Sequence, residues 1–246
     1  MMLPGKAALV TGGRRIGAEV ARDLARHGMD VAVSYHRSSQ QAGETVQAIH
    51  AGGGRGVAIA ADLSDPHACG ALVEEAAARL GRLDVLVHMA SVYVREPLAA
   101  TGERAWGEAM QVDLRAAFLC AKQAAPHFRA AGGGRIVNVS DWVAASGRPR
   151  YPGYVAYYVA KKAVIGLSEA LALELAADSI LVNTVAPGPI VPPEGSSTAH
   201  ISAVEAATPV GRWGGEPAIA HAVRFCIESD FMTGETIRVD GGRHIR

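Results

Sequence analysis

Neither sign of charge predominates in this chain of 246 residues, because 24 Lys and Arg balance 24 Asp and Glu. That balance supplies no global field for nucleic acid or an anionic membrane surface, so small-molecule chemistry is the expectation. Cysteine is scarce. Cys69, Cys120 and Cys226 stand far apart and form neither a metal-ligand spacing nor a disulfide framework, which suits a reducing cytosol. No uninterrupted apolar stretch reaches membrane-spanning length, and the chain passes from Met1 through Lys6 straight into Ala7–Val10 with no charged leader. These absences predict a cytoplasmic protein with no membrane segment. Internal repeats and low-complexity tails are missing too.

What the chain has is apolar bulk: 49% of residues are hydrophobic and only 20% charged, enough for the core of one α/β domain spanning residues 1–246. Short apolar runs, Ala7–Val10, Val31–Ser34, Val57–Ala61, Val85–Val87, Ile136–Val139, Leu181–Val185 and Thr236–Val239, alternate with longer segments of helical periodicity. Ile16–His27, Ala68–Leu80, Arg104–Phe128 and Tyr154–Ala177 are long enough for crossovers. The pattern predicts a parallel, doubly wound sheet whose ligands bind beyond the carboxyl ends of the strands. Gly52–Gly54 and Gly132–Gly134 read as chain reversals after helices. The proline-rich segment Pro187–Ser197 follows a strand and is the expected start of a substrate lid, at about residues 187–210.

Thr11-Gly-Gly-Arg-Arg-Ile-Gly17 lies between the first strand and a helix, where small residues let backbone amides approach a pyrophosphate. The second strand ends in Tyr35-His36-Arg37-Ser38, where an NAD-preferring fold presents a carboxylate; Asp30 begins that strand rather than ending it. Basic and hydrogen-bonding groups there, with Arg14 and Arg15 on the neighbouring loop, predict NADP(H) in place of NAD.

Tyr157 and Lys161 stand one helical turn apart, which puts a phenol and an ammonium on one face. A fixed positive charge lowers a phenol's pKa, so the pair reads as a proton donor with its tuner. Tyr158 and Lys162 repeat the spacing one residue along. Lys161 shares its face with Val164, Ile165, Ala172 and Leu175, whereas Lys162 shares its face with Gly166 and Glu169; the first pair is the one expected to point inward.

With the glycine loop, Asp62 after the third strand, Tyr157 and Lys161, Pro187-Gly188 after the sixth strand and Val239-Asp-Gly-Gly242 near the end, the chain resembles the short-chain dehydrogenase/reductase family over essentially its whole length. Lys161-Lys-Ala-Val-Ile-Gly-Leu167 matches the stretch after that family's catalytic lysine and favours Tyr157 and Lys161. The resemblance implies a single-domain Rossmann-type fold with helices on both faces of the sheet, a homotetramer, and a nicotinamide beside Tyr157. It further implies that Lys161 binds the nicotinamide ribose, that Asp62 with Leu63 holds the adenine, and that Thr11 braces the loop formed by Gly12, Arg14, Arg15, Ile16 and Gly17. Ala90, Asn138, Pro187, Gly188 and Ile190 would line the rest of the cofactor.

Four positions depart from the family pattern. The glycine loop is one residue short, with Arg15 where the middle glycine is expected; His88-Met-Ala-Ser91 replaces Asn-Asn-Ala-Gly; Asp113 replaces the helix asparagine; and Asp141 replaces the serine that polarises the substrate. Ser140 would substitute only in a shifted register. Arg15, Tyr35–Ser38, Ala90-Ser91 with Tyr93, and Asp141 are similar to the pteridine reductase branch, in which an aromatic ring stacks on a flat heterocycle while aspartate and tyrosine manage protonation of a C=N bond. The expected catalytic set is therefore Tyr157, Lys161, Asp141 and Asp113, with Ser91, Tyr93, Asp141 and Trp142 at the substrate. The leading expectation is an NADPH-dependent reductase of a small C=O or C=N substrate, pterin-like in one form. A 3-oxoacyl-thioester reductase is the alternative within that chemistry, and a non-catalytic NADPH-binding protein the alternative outside it.

Overall fold

Each of the seven apolar runs becomes a strand in the computed structural model, which describes residues 1–246. The strands are β1 (Ala7–Thr11), β2 (Asp30–Tyr35), β3 (Gly56–Ala60), β4 (Val85–His88), β5 (Gly134–Val139), β6 (Ile180–Pro187) and β7 (Thr236–Val239). All neighbours pair in parallel, in the order β3-β2-β1-β4-β5-β6-β7. The order reverses between β1 and β4, and that crevice is where a doubly wound sheet receives a ligand.

Continuous apolar runs were needed because helices cover both faces. On one side α3 (Pro66–Leu80), α5 (Ala116–Ala130) and α7 (Val155–Leu175) bury Leu72, Phe128 and Leu175 against Leu9, Leu86 and Ile136. On the other, α1 (Ile16–Arg26), α2 (Ser39–Ala51) and α9 (Glu216–Glu228) bury Leu24, Ile49 and Ile219 against Val10, Val87 and Val137. Adjacent residues of one strand thus enter opposite cores, as the two-residue period requires. No helix is long and apolar enough to cross a membrane.

Local signals set several boundaries. Asp65 caps α3 by accepting from the His67 amide, Pro66 fits its first turn, and Gly81 ends it at φ 82°. The expected helix 104–128 is, however, interrupted: α4 (Glu103–Ala109) passes into a π turn at Met110–Arg115 before α5 begins. The wider turn coincides with a contact from outside the helix, where His88 Nε2 donates to the Val112 carbonyl at 3.3 Å. The expected lid is partly regular, since α8 (Thr198–Ala206) follows the irregular stretch, capped by Ser197.

Candidate active site

The carboxyl ends of β1 and β4 are joined by side chains before any ligand is considered. Thr11 Oγ1 accepts from the amides of Met89 and Ala90 at 3.0 and 3.1 Å and lies 3.2 Å from His88 Nδ1. A carbonyl cannot donate, so the bond to Val112 makes Nε2–H the protonated nitrogen and leaves Nδ1 to accept from the Thr11 hydroxyl. Burial, with the Lys161 charge adding to it, pushes the His88 pKa down to about 4, so the ring is neutral. His88 therefore fastens β1 and β4 to the π turn. Nothing in its spacing singles it out as more than a departure from a family pattern. Thr11 pins the turn after β4 by the same contacts.

Just beyond Val112, Asp113 is fully buried and sits 3.0 Å from Lys161 Nζ. Ser91 Oγ donates to the same carboxylate oxygen that faces Lys161, and the other oxygen accepts from the Val92 amide at 2.9 Å. Lys161 Nζ also donates to the Val139 carbonyl at 2.9 Å, leaving one of its three N–H groups for a ligand. Ser140 Oγ donates to the Lys161 carbonyl at 2.7 Å and is buried there, so it does not stand in for Asp141.

Asp141 begins the short helix α6 (Trp142–Ala145), and one of its oxygens accepts from the Val143 amide at 2.8 Å. The other accepts from the Tyr157 hydroxyl at 2.9 Å. Burial raises the Asp141 pKa above the usual carboxylate range. Burial and the nearby charges of Asp141 and Asp113 raise Tyr157 well above an ordinary phenol. The lowering expected from Lys161 does not outweigh these: the ammonium lies 5.8 Å from the ring centroid and is held by Asp113. Tyr157 thus keeps its proton at neutral pH.

Tyr93 comes to Tyr157 as expected, edge to face at 4.8 Å between centroids, and stacks on Tyr154 at 4.8 Å. Tyr154 is an added member of the group, one helical turn before Tyr157. Beside them opens a cavity of about 120 Å³ lined by Val92, Val94, Ala109, Tyr154 and Tyr157. The loops enclosing it are tied where the Glu96 amide donates to the Gly153 carbonyl at 2.7 Å. Trp142 is not among its walls; it is buried beneath Arg150 and Arg243 in a different pocket. Tyr158 and Lys162 are not part of the group, since Lys162 Nζ donates to the Ala144 carbonyl at 3.2 Å.

The glycine loop fits a pyrophosphate although it is short. A methyl group on Gly13 would fall 2.0 Å from Val33 Cγ1, and one on Gly17 2.1 Å from the Gly12 carbonyl oxygen, so the turn closes only around bare backbone. The amides of Arg15 and Ile16 donate to nothing within the chain and stand at the amino end of α1. Arg15 itself has φ 48° and ψ −108°, a conformation natural to glycine, which is why the family pattern has one there. Its guanidinium donates to the carbonyls of Pro192 at 2.9 Å and Val191 at 3.4 Å, joining the loop to the expected lid.

Arg37 just past the end of β2 and Arg14 on the glycine loop are exposed, neither makes an ion pair or side-chain hydrogen bond, and no carboxylate ends that strand. His36 lies 3.6 Å from Asp62, whose pKa is lowered first by the Ser64 hydroxyl and amide. Leu63 is buried in the core rather than open to a ligand. Asn138, opposite His88 in the sheet, donates to Ser168 Oγ at 2.9 Å while its carbonyl oxygen stays buried without a partner. Gly188 allows β6 to pass Asp240, whose Cα a methyl would meet at 2.5 Å, and Ile190 is buried just beyond.

A family model described as enoyl-(acyl carrier protein) reductase matches residues 11–244. The 3-oxoacyl-[acyl-carrier-protein] reductase FabG of Staphylococcus aureus is 36% identical over 245 residues, covering 98% of each chain. A short-chain dehydrogenase/reductase from Serratia marcescens superposes with a TM-score of 0.92 at 31% identity, over 99% of this chain and 100% of that one. A short chain dehydrogenase from Burkholderia cenocepacia, solved in complex with NADP, superposes at 0.91 with 34% identity, over 99% of each.

Proposed function

The chain belongs to the short-chain dehydrogenase/reductase family and is an oxidoreductase, and on that premise we propose that it uses NADPH to reduce a C=N bond in a flat, pterin-like heterocycle. The observation that carries this reading is the 2.9 Å hydrogen bond from Tyr157 to Asp141. Bound NADPH would supply hydride to the carbon of the C=N bond. Arg14 and Arg37 would hold its 2'-phosphate, the Arg15 and Ile16 amides its pyrophosphate, and the remaining N–H of Lys161 its nicotinamide ribose.

Tyr157 delivers the proton to the nitrogen. A lone phenolate in this buried site is costly, so in this reading a protonated Asp141 passes its proton to the Tyr157 oxygen as Tyr157 gives up its own, and solvent later reprotonates the carboxylate. Asp113 fixes the ammonium of Lys161 next to this exchange. Tyr93 offers a largely exposed ring on which a flat heterocycle can stack. The expected homotetramer belongs to the same reading, supported by Phe118, Val155, Val159 and Leu173, which stand exposed on α5 and α7.

The S. aureus relative favours a second reading, reduction of a 3-oxoacyl thioester. An ionised Asp141 beside a developing alkoxide opposes it, because negative charge would accumulate in one place, unless that carboxyl is protonated. Initial rates with NADPH on dihydropterins, other cyclic imines and acetoacetyl thioesters decide between the two. We expect turnover of the heterocycles; turnover of the thioester alone would overturn the proposal in favour of the second reading.

A further inference from the structure

On the far side of α6 lies a pocket of about 390 Å³ lined by Trp142, Arg150, Tyr151, Ala207, Arg243 and Arg246. Three of its six lining residues are arginines, and none of them is in an ion pair with any carboxylate of the chain. Asp240, close to Arg243 in sequence, is occupied by the His244 ring at 2.8 Å and by the amides of Gly242 and His244.

The arginines are held in place by groups other than carboxylates. Arg150 and Arg243 both lie over the Trp142 indole, 5.4 and 5.7 Å from its centroid, so the ring attracts each cation without neutralising either. Arg243 donates to the Val204 carbonyl at 2.9 Å, to Thr208 Oγ1 at 3.2 Å and to the Tyr151 oxygen at 3.2 Å. Arg246 donates to the Ala206 carbonyl at 2.8 Å. Two of these acceptors belong to the last turn of α8, where cations are favoured. Arg150 is different: its guanidinium makes no hydrogen bond, and its Nε is buried without a partner. A buried donor left unpaired costs free energy, as does gathering three like charges around one cavity.

We propose that this pocket binds an oxyanion, the phosphate or carboxylate group of a small ligand, in a two-point contact with Arg150 that Arg243 and Arg246 support. Such an anion pairs the terminal Nη1 and Nη2 donors of Arg150, which make no hydrogen bond within the chain, and offsets the repulsion among the three guanidinium groups. The site is separate from the basic end of β2, which would serve the cofactor. Because Trp142 directly follows Asp141, an anion here lies one residue along the chain from the proposed proton donor's partner, and it could be carried by a substrate or arrive free.

The test is binding, so it does not depend on the reaction. Protein saturated with NADP+, to fill the cofactor's own phosphate sites, is titrated calorimetrically with inorganic phosphate and separately with citrate. One further anion per chain should bind, at least tenfold more weakly in Arg150→Gln and in Arg243→Gln, with partial recovery in Arg150→Lys. Arg150 makes no hydrogen bond, so its replacement tests the site even where loss of Arg243 loosens α8. If phosphate raises KM for an anionic substrate and not for its uncharged analogue, the anion belongs to the substrate; unchanged KM values with retained binding assign it to a free ligand. No anion bound by the NADP+-loaded wild type, or equal binding by Arg150→Gln, overturns the proposal.

Discussion

The Tyr157 hydroxyl donates to the Asp141 carboxylate, while Lys161, one helical turn on, is tied to Asp113. Two carboxylate relationships are thus separated: one carboxylate pairs with the lysine and the other faces the phenol. If Asp141 must hold a proton for turnover, activity falls as pH rises through its raised pKa. Asp141→Asn should lower kcat on a C=N substrate about 10²-fold, the scale of a lost general acid, and flatten that limb of the pH profile. A wild-type profile already flat over the same range contradicts the dyad.

Asp141→Ser keeps an oxygen able to cap α6 and removes the charge. It should move preference toward a 3-oxoacyl thioester, read as a rise in the kcat/KM ratio of thioester to heterocycle. Tyr157→Phe should abolish both activities and leave NADPH affinity within about twofold, since the phenol oxygen supplies the proton and not the binding. Fluorescence titration beside steady-state kinetics checks both variants.

Removing the carboxylate from the Asp113–Lys161 pair strands a buried ammonium. Asp113→Ala should cost about 3–5 kcal/mol of stability, the usual penalty for breaking a buried pair. Asp113→Asn, which retains an acceptor for the Val92 amide, should cost less. Denaturant unfolding of both variants, with comparable slopes, is the measurement.

His88 titrates at about 4 in the folded chain against an ordinary 6.5. Unfolded chains therefore take up the proton first as pH falls, so stability is full above about 6.5, declines between there and about 4, and loses nothing further from this group below that. The decline amounts to roughly 3 kcal/mol from His88 alone. Replacing it with Asn should make unfolding free energy less steep across that window.

Arg15→Gly should relieve backbone strain of about 1–3 kcal/mol, because glycine adopts φ 48° freely. Arg37→Gln should instead act on cofactor choice, lowering the kcat/KM ratio of NADPH over NADH at least tenfold, with a smaller response to added salt than the wild type shows.

Strands were legible because a sheet covered on both faces demands apolar runs, and the glycine loop because its steric limits are local. Tyr157 and Lys161 were legible through helical spacing. The π turn was not: helical periodicity continues through Met110–Arg115, and the contact at Val112 comes from His88 on another element. Spacing could place Lys161 near Tyr157 but could not show that Asp113 engages its charge. Trp142 follows the catalytic candidate Asp141 in sequence, yet α6 turns its ring to the opposite side, toward Arg150. Arg15 stood out as a departure, while its grip on Pro192 spans residues far apart in the chain.

Because the strand order reverses between β1 and β4, two stretches of the chain meet at that seam with different tasks. The residues proposed to recognise the adenosine end lie on the segment through Asp62, and the phenol, ammonium and both carboxylates near them lie on the segment from Val85 onward. Grafting the end of β2 from a relative with a carboxylate there would therefore retune the choice of dinucleotide while leaving the proton machinery as it stands. On the proposed assignment, the seam would let coenzyme preference change apart from reactivity.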